Sequence, residues 1–267
     1  RASILRASMT TPTLSDLKLC VDRLPPGRQF SDLYQPGQAK TTKAAVMIEK
    51  LWEAGRTLRI RFLDGDEGVQ RKVARFAQVW TEFADINLAF DNDANAEIRI
   101  SFQQPGSWSQ IGKDALDRRI GKDEPTMNFG WLTPATPNDE VLRVVLHEFG
   151  HALGLVHEHQ NPAAAIPWNH DAVYAYYQGP PNFWSKEQVD VNIFQVYDMK
   201  VTKYSRFDAK SIMLYPIPQE LTIGGYAVGW NNNLSHYDKL YIRRRDPGRQ
   251  TPPARVKPNG PNTANET

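Results

Sequence analysis

The sequence predicts an α+β fold, in which helices cover one β-sheet and the second half of the chain is largely irregular. Two observations carry this prediction. Before residue 158, short strand-like segments are interleaved with two stretches whose apolar residues recur at helical spacing. After residue 158 the chain is rich in Pro, Gly, Asn and aromatic residues and has only short helical patterns.

Four segments are predicted to be β-strands. In residues 57–62 (TLRIRF) apolar residues alternate with arginines, as in a half-buried strand. Segments 86–90 (INLAF), 96–102 (AEIRISF) and 126–132 (TMNFGWL) are rich in apolar and β-branched residues and are bounded by turn-forming residues. These four segments are enough to form one sheet with an apolar face. Residues 103–125, which are rich in glycine and charged residues, are predicted to connect the third segment to the fourth.

Helical periodicity predicts a first long helix and a closing helix. Over Glu67–Asp85 apolar residues recur at helical spacing, after an acidic turn, DGDEG, that suits a helix N-terminus. Residues 234–245 (LSHYDKLYIRRR) are predicted to form the closing helix, with Ser235 as its N-cap. The arginines at its end are most simply a solvated helix terminus.

The chain is expected to form one domain between two extensions. Residues 1–45 contain several prolines and little periodicity, which predicts an N-terminal arm or prosegment. Residues 46–247 are predicted to be the folded domain, with an N-terminal subdomain to about 154 and a C-terminal subdomain over 155–247. The proline-rich residues 248–267 have almost no large apolar side chain and are predicted to be a disordered tail.

Composition and charge narrow the classes of partner. Lys and Arg number 32 against 30 Asp and Glu, so neither nucleic acid nor an anionic membrane is expected as a partner. No window approaches about eighteen consecutive apolar residues, which predicts no membrane-spanning helix. The first residues lack the apolar core of a signal peptide. A disulfide within the chain is impossible, because Cys20 is its one cysteine.

The stretch HEFGHALGLVH carries the strongest functional signal. It lies on a second long helix, for which Thr136 is the predicted N-cap and Pro137 the first helical residue, and which should end near Leu153. His147 and His151 are four residues apart, so both imidazoles lie on one helix face and can share a metal ion.

The rest of the stretch completes the predicted site. Gly154 can adopt a left-handed conformation and turn the chain back, so that His157 reaches the same ion. Three neutral histidines with a water molecule in the fourth place are the coordination of a catalytic zinc. Glu148 lies about 100 degrees round the helix from His147, where it can act on that water as the general base. The alternative is an ordinary amphipathic helix that carries these histidines by coincidence. The full string arises by chance in a chain of this length with a probability on the order of one in 10⁵, which disfavours that alternative.

This string is the zinc signature of the metzincin metalloproteases, which the chain therefore resembles. A second metzincin feature is SIMLYP, where Met213 matches the methionine of the Met-turn. Within the metzincins the chain is similar to the astacins, through Glu158 directly after the third histidine, Tyr215 two places after the methionine, and GSWSQIG at 106–112. The resemblance covers roughly residues 50–247.

The resemblance implies both a fold and a mechanism. The fold is metzincin-like, with a twisted, mostly parallel β-sheet that has an exposed edge strand, two long helices, and an irregular C-terminal subdomain with a Met-turn and a closing helix. Tyr215 would be an additional zinc ligand that can swing off to stabilise the oxyanion. A peptide substrate would add as a strand to the sheet edge at Ser107, Ser109 and Gln110, with Trp108 at the rim.

The chain departs from the astacin pattern at two positions. Astacins have a cysteine where Ser107 stands here, which suits a disulfide-free relative. In many mature astacins the glutamate that matches Glu158 pairs with a buried N-terminus, and this pairing requires removal of the residues before the domain. FLDGD at 62–66 is similar to a latency element of astacin prosegments, although its position favours a turn that caps a helix.

We therefore expect a zinc-dependent endopeptidase with one catalytic Zn²⁺, which hydrolyses peptide bonds in proteins or peptides. A non-catalytic zinc-containing peptide-binding protein and a zinc hydrolase of small amides are the alternatives. Cys20 is either a buried structural residue or a latency ligand of the zinc. His159, His170 and His236 have no ligand spacing and are expected to be surface or hydrogen-bonding residues. The enzyme is expected to be a secreted or extracytoplasmic monomer that binds no nucleic acid and no membrane.

Overall fold

The computed structural model describes Cys20 and residues 50–161, 163–180, 182–196 and 206–245. The predicted arm, apart from Cys20, and the predicted tail lie outside the described residues. In the part of the chain that is described, no helix is both long and apolar enough to cross a membrane.

Five strands form one mostly parallel sheet. The strands are β1 (Thr57–Phe62), β2 (Asn87–Ala89), β3 (Ile98–Ser101), β4 (Ser107–Ser109) and β5 (Met127–Phe129), in the order β2-β1-β3-β5-β4. All neighbours are parallel except β4, which runs antiparallel to β5 at one edge. The four strands predicted from local pattern are confirmed, β1 with the predicted bounds and the other three with shorter ones, and β4 lies where the resemblance places the edge.

The first long helix is shorter than predicted. Helix α1 (Glu67–Ala77) continues as a 3₁₀ turn over Gln78–Glu82, so the helical region ends before Asp85. Its N-terminus is fixed by Asp66, whose Oδ1 accepts hydrogen bonds from the N–H groups of Gly68 and Val69. The DGDEG segment is therefore a turn that caps a helix, as its position indicated.

The helix that carries the histidines is α2 (Asn138–Ala152). The predicted cap is wrong by one residue, because Pro137 is the N-cap and has the extended ψ of 146°. The hydroxyl of Thr136 accepts the N–H of Thr133 in the preceding turn and so does not cap the first turn of the helix. The helix N-terminus instead has the negative charge of Asp139 close to its exposed N–H groups.

Short helices complete the irregular second half. They are α3 (His170–Gln178), α4 (Lys186–Val189), which continues as a π turn over Asp190–Phe194, and α5 (His236–Arg245). Ser235 caps α5 as predicted, because its Oγ accepts the N–H of Asp238 at 2.9 Å, and Asp238 in return accepts the N–H of Ser235 at 2.8 Å.

One apolar core joins the sheet, α1, α2 and the segments that follow them. Helices α1 and α2 pack against each other, and α2 also contacts β4 and β5. Ile212, Met213, Leu234 and Ile242 belong to the same buried cluster as the sheet residues. The largest fully buried side chains in this cluster include Trp80, Leu58, Ile60, Ile100, Phe129 and Phe149. The core thus packs against one face of α2. The end of α2 that bears the histidines lies next to the C-terminal half of the chain.

Candidate active site and zinc centre

The C-terminal end of α2 turns the chain back, as the sequence predicts. Gly154 has a φ of 98°, in the left-handed region that favours glycine. Its N–H donates to the carbonyl of His151, and the N–H of Leu155 donates to the carbonyl of Gly150. This pair of hydrogen bonds is the Schellman closure of a helix, and it brings His157 beside the two helical histidines.

The three predicted zinc ligands converge through their Nε2 atoms. Nε2 of His157 lies 3.3 Å from Nε2 of His147 and 3.0 Å from Nε2 of His151. Nδ1 of His147 donates to the Ile212 carbonyl at 2.8 Å, and Nδ1 of His151 donates to the Leu155 carbonyl at 3.0 Å. Because Nδ1 carries the proton in both rings, their Nε2 atoms are free of protons and available to a metal ion.

Burial keeps His147 in the form that binds a metal. It lowers the pKa of His147 well below its ordinary value, and the neighbouring His151 and His157 lower this pKa further. His147, His151, His157 and Cys20 each offer one ligand atom, and these four atoms lie within 4.8 Å of one another. Three imidazole nitrogens and one sulfur are a donor set that Zn²⁺ binds well, so these residues fit one zinc ion.

Glu148 and Tyr215 both lie at this centre and both contact Cys20. The Glu148 side chain is buried, and its Oε2 is 3.3 Å from Sγ of Cys20. The Tyr215 hydroxyl lies 2.5 Å from Nε2 of His157 and donates to the Cys20 carbonyl, also at 2.5 Å. A carboxylate and a phenol therefore flank the position at which the cysteine sulfur faces the three histidines.

Two solved structures of myroilysin match most of the chain. "Structure of myroilysin" matches with 44% sequence identity and a TM-score of 0.71, over 74% of this chain and 96% of that chain. "Crystal structure of myroilysin" matches with 37% identity and a TM-score of 0.64, over 92% of this chain and 97% of that chain. This chain belongs to the astacin-like metzincins. It is a zinc-dependent endopeptidase with one catalytic zinc, and it acts on proteins or peptides.

A more distant match concerns the fold alone. High choriolytic enzyme 1, a hatching enzyme zinc protease of the medaka fish Oryzias latipes, is 16% identical. The TM-score is 0.51, over 73% of the astacin-like chain and 92% of the hatching enzyme. No family model and no curated protein matches the chain.

The Met-turn of this astacin-like protease supports the zinc ligands through its main chain. The carbonyl of Ile212 accepts from His147, and the carbonyl of Met213 accepts the N–H of Glu158 at 2.9 Å. Met213 itself is buried beneath α2. The turn thus hydrogen-bonds one predicted ligand, His147, directly. It also hydrogen-bonds Glu158, which directly follows the predicted ligand His157.

Asp238 of the closing helix fixes the Met-turn, a role that the sequence did not indicate. Its carboxylate accepts hydrogen bonds from the Ser211 hydroxyl at 2.7 Å and from the Ile212 N–H at 2.9 Å. Burial raises the pKa of Asp238 above its ordinary value, and these hydrogen bonds oppose that rise. The Ser235 cap, which the sequence does predict, is the local signal that orients this carboxylate.

Glu158 has partners other than a chain terminus. Its Oε1 accepts the N–H of Asp208 and the side-chain N–H of Asn161, both at 2.9 Å. Burial raises the pKa of Glu158 to about 7, although these two hydrogen bonds act in the opposite direction. The glutamate that marks the astacin branch therefore ties the third ligand to the segment that leads into the Met-turn.

The edge strand β4 is less open than the resemblance implies. All four predicted substrate-binding residues, Ser107, Trp108, Ser109 and Gln110, are buried. Trp108 is only 2% exposed, so its expected place at the rim is wrong, because β4 contacts α2 as well as its neighbour β5. Cys20 forms an isolated parallel bridge with Ser107 and so covers the outer edge of the sheet at that point.

The remaining histidines lie outside the ligand cluster of the described residues, as predicted. Nε2 of His159 lies 2.7 Å from the Asn192 carbonyl, and its ring stacks on Tyr215 with centroids 4.9 Å apart. His170 stacks on Phe194. His159 thus supports the tyrosine at the zinc centre, and no sequence spacing indicated this contact.

Proposed function

We propose that this protein cleaves peptide bonds at the centre formed by His147, His151 and His157, with Glu148 as the general base. The convergence of the three Nε2 atoms carries this proposal, since it creates one metal position in a buried site. Zinc, when bound there, is a Lewis acid that polarises the scissile carbonyl and makes the attacking water more acidic.

Glu148 is placed to move the proton. Its carboxylate lies beside the Cys20 sulfur, which is the fourth donor of the cluster. When that sulfur leaves, the attacking water takes its position and so lies next to Glu148. The carboxylate accepts the proton of the attacking water and returns it to the amine that departs. Its burial, at 1% exposed, keeps bulk water from competing for that proton.

Tyr215 is proposed to stabilise the oxyanion and to act as a further zinc ligand. Its hydroxyl lies 2.5 Å from Nε2 of His157, so a small movement takes it between the ligand cluster and a substrate carbonyl oxygen. Donation of a hydrogen bond to the oxyanion then stabilises the transition state more than the ground state.

Cys20 is proposed to hold the enzyme in a latent state. Its sulfur takes the fourth donor position, its carbonyl accepts from Tyr215, and its backbone pairs with Ser107 at the sheet edge. These contacts occupy the places of the attacking water, the oxyanion donor and the substrate strand. A merely structural cysteine would need none of them.

The proposal extends to substrate and setting. Once Cys20 has left, an extended peptide can pair with β4 around Ser107–Gln110, as in β-augmentation. We propose that the enzyme works as a secreted or extracytoplasmic monomer that binds neither nucleic acid nor a membrane. The near-balanced charge of the chain supports the absence of nucleic acid as a partner.

Two substitutions separate metal binding from catalysis. In a Cys20→Ala background, which opens the site, Glu148→Gln should keep about one equivalent of zinc while peptide cleavage falls by at least about 10²-fold, because the general base is lost. His151→Ala should lose both zinc and activity. Metal content by mass spectrometry and casein digestion measure the two quantities, and Glu67→Gln, on the exposed face of α1, is the control. Full activity in the Glu148→Gln protein would overturn the mechanism.

A further inference from the structure

A cavity opens beside the zinc centre. Its walls include His147, Glu148, Tyr215 and Cys20. Once Cys20 has left, a substrate side chain next to the scissile bond would enter this cavity. Its remaining wall includes the apolar side chains of Trp131, Val144, Leu214, Pro216 and Trp230 beside the polar Asn231.

Among the described residues that line this cavity, Arg143 has the only side chain with a full positive charge. It lies one helical turn before His147 on the same face of α2. Its guanidinium lies 4.1 Å from the ring centroid of Trp230, which fixes the group against the cavity wall. The side chain is only 11% exposed. A positive charge is thus placed next to the substrate side chain, away from bulk water.

Glu140 neutralises that charge. The guanidinium donates to Glu140 through Nε at 2.9 Å and through Nη2 at 2.8 Å, in the two-point geometry that favours Arg–carboxylate pairs. An acidic substrate side chain would have to compete with this carboxylate for the same cation. A basic side chain would meet a guanidinium at short range in a poorly solvated site, which is unfavourable.

We propose that Glu140 sets the substrate preference of this enzyme. By pairing with Arg143 in the cavity beside the catalytic centre, it makes the cavity select apolar side chains and reject charged ones. This inference rests on the proposed function, since it requires that peptide cleavage occurs at this centre. Glu140 is a positioning residue in this scheme, because it acts on the substrate only through Arg143.

Substitution of either partner should shift the preference in opposite directions. Glu140→Gln leaves Arg143 without its counter-charge, so cleavage next to acidic residues should rise about tenfold relative to cleavage next to apolar ones. Arg143→Gln leaves the Glu140 carboxylate near the cavity, so the relative rate next to basic residues should rise by a similar factor. The double variant should return both ratios close to those of the parent.

The experiment uses the full chain carrying Cys20→Ala, so that the site is open, and a peptide library varied at both residues that flank the cleaved bond. Mass spectrometry of the products gives each ratio within one sample, so a change in the folded fraction of a variant does not alter it. Glu67→Gln is the matched control, because it removes an acid from the first turn of α1 that pairs with Arg71 far from the cavity. Unchanged ratios in active Glu140→Gln and Arg143→Gln proteins overturn this inference alone, whereas a parent that cleaves nothing overturns the proposed function and this inference with it.

Discussion

Gly150 of α2 lies against Met213 of the Met-turn so closely that no side chain fits between them. A Cβ at position 150 would be 2.4 Å from the Met213 sulfur and 3.3 Å from the ring of Trp80. Since the carbonyl of Ile212, next to Met213, holds His147, this contact sets how far the Met-turn lies from the zinc ligands. The glycine inside the zinc signature is thus a packing requirement of the site.

Gly150→Ala should therefore destabilise the protein, although alanine is normally the better helix former. The added methyl group must displace Met213 or Trp80, which costs about 1–3 kcal/mol in the free energy of unfolding. Urea unfolding of the zinc-loaded protein measures this change. Gly229→Ala, where an added Cβ meets nothing within 4 Å, is the matched control and should stay near the parent value. Equal stability of the two variants would contradict the packing role.

Cys20→Ala should raise the proteolytic activity of the intact chain. The sulfur leaves the fourth donor position, and water and substrate can then reach the zinc centre. Activity is measured on chains whose mass shows that residues 1–45 are still attached. A structural cysteine predicts the opposite pattern, namely a lower melting temperature with no gain in activity.

Tyr215→Phe should slow catalysis without removing the metal. In a Cys20→Ala background, the loss of one oxyanion donor should lower kcat by about 10²–10³-fold with little change in KM. Zinc content should stay near that of the Cys20→Ala parent, because His147, His151 and His157 remain. A variant that keeps its kcat but unfolds more readily would show that the tyrosine only packs against His159.

Asp238→Asn should change how stability depends on pH. Burial raises the pKa of Asp238 in the folded protein above the ordinary 3.8, so the folded state binds this proton more tightly than the unfolded chain does. The corresponding stability is fully present below about 3.8 and is lost as the pH rises through the folded-state pKa. Asparagine has no such proton, so the stability difference between parent and variant should vary with pH over that interval and stay constant above it.

Urea unfolding across this pH range measures that difference, with Asp171→Asn on the exposed start of α3 as the control. Asp238→Ala should be destabilised at every pH by about 1–3 kcal/mol, since it leaves the donors of Ser211, Ile212 and Ser235 without their partner. A pH-independent difference for Asp238→Asn would refute the raised pKa.

Features set by neighbours in the chain could be read from the sequence. The zinc ligands are one example, because helix geometry alone puts His147 and His151 on one face, and Gly154 then turns His157 back. Strand β1 is another, because the alternation in Thr57–Phe62 reflects a buried and a more exposed face. The N-cap of α2 shows where this reasoning stops. Thr136 has the right identity, but its hydroxyl is used by Thr133 in a turn that the pattern does not reveal.

By itself, then, the sequence determined four of the five strands, the helix of the zinc signature and the three histidines that converge at its end, since each depends on spacing over a few residues. Glu148 as the general base stays a prediction. Tertiary structure decided which distant groups meet that centre. Cys20 contacts Glu148 across 128 positions in the chain, and Asp238 reaches the Met-turn from the closing helix. The charge balance between Glu140 and Arg143 is local, yet it bears on substrate choice only because separate segments enclose the cavity beside it. Such contacts follow from how the core packs the segments together, and local pattern does not encode that packing.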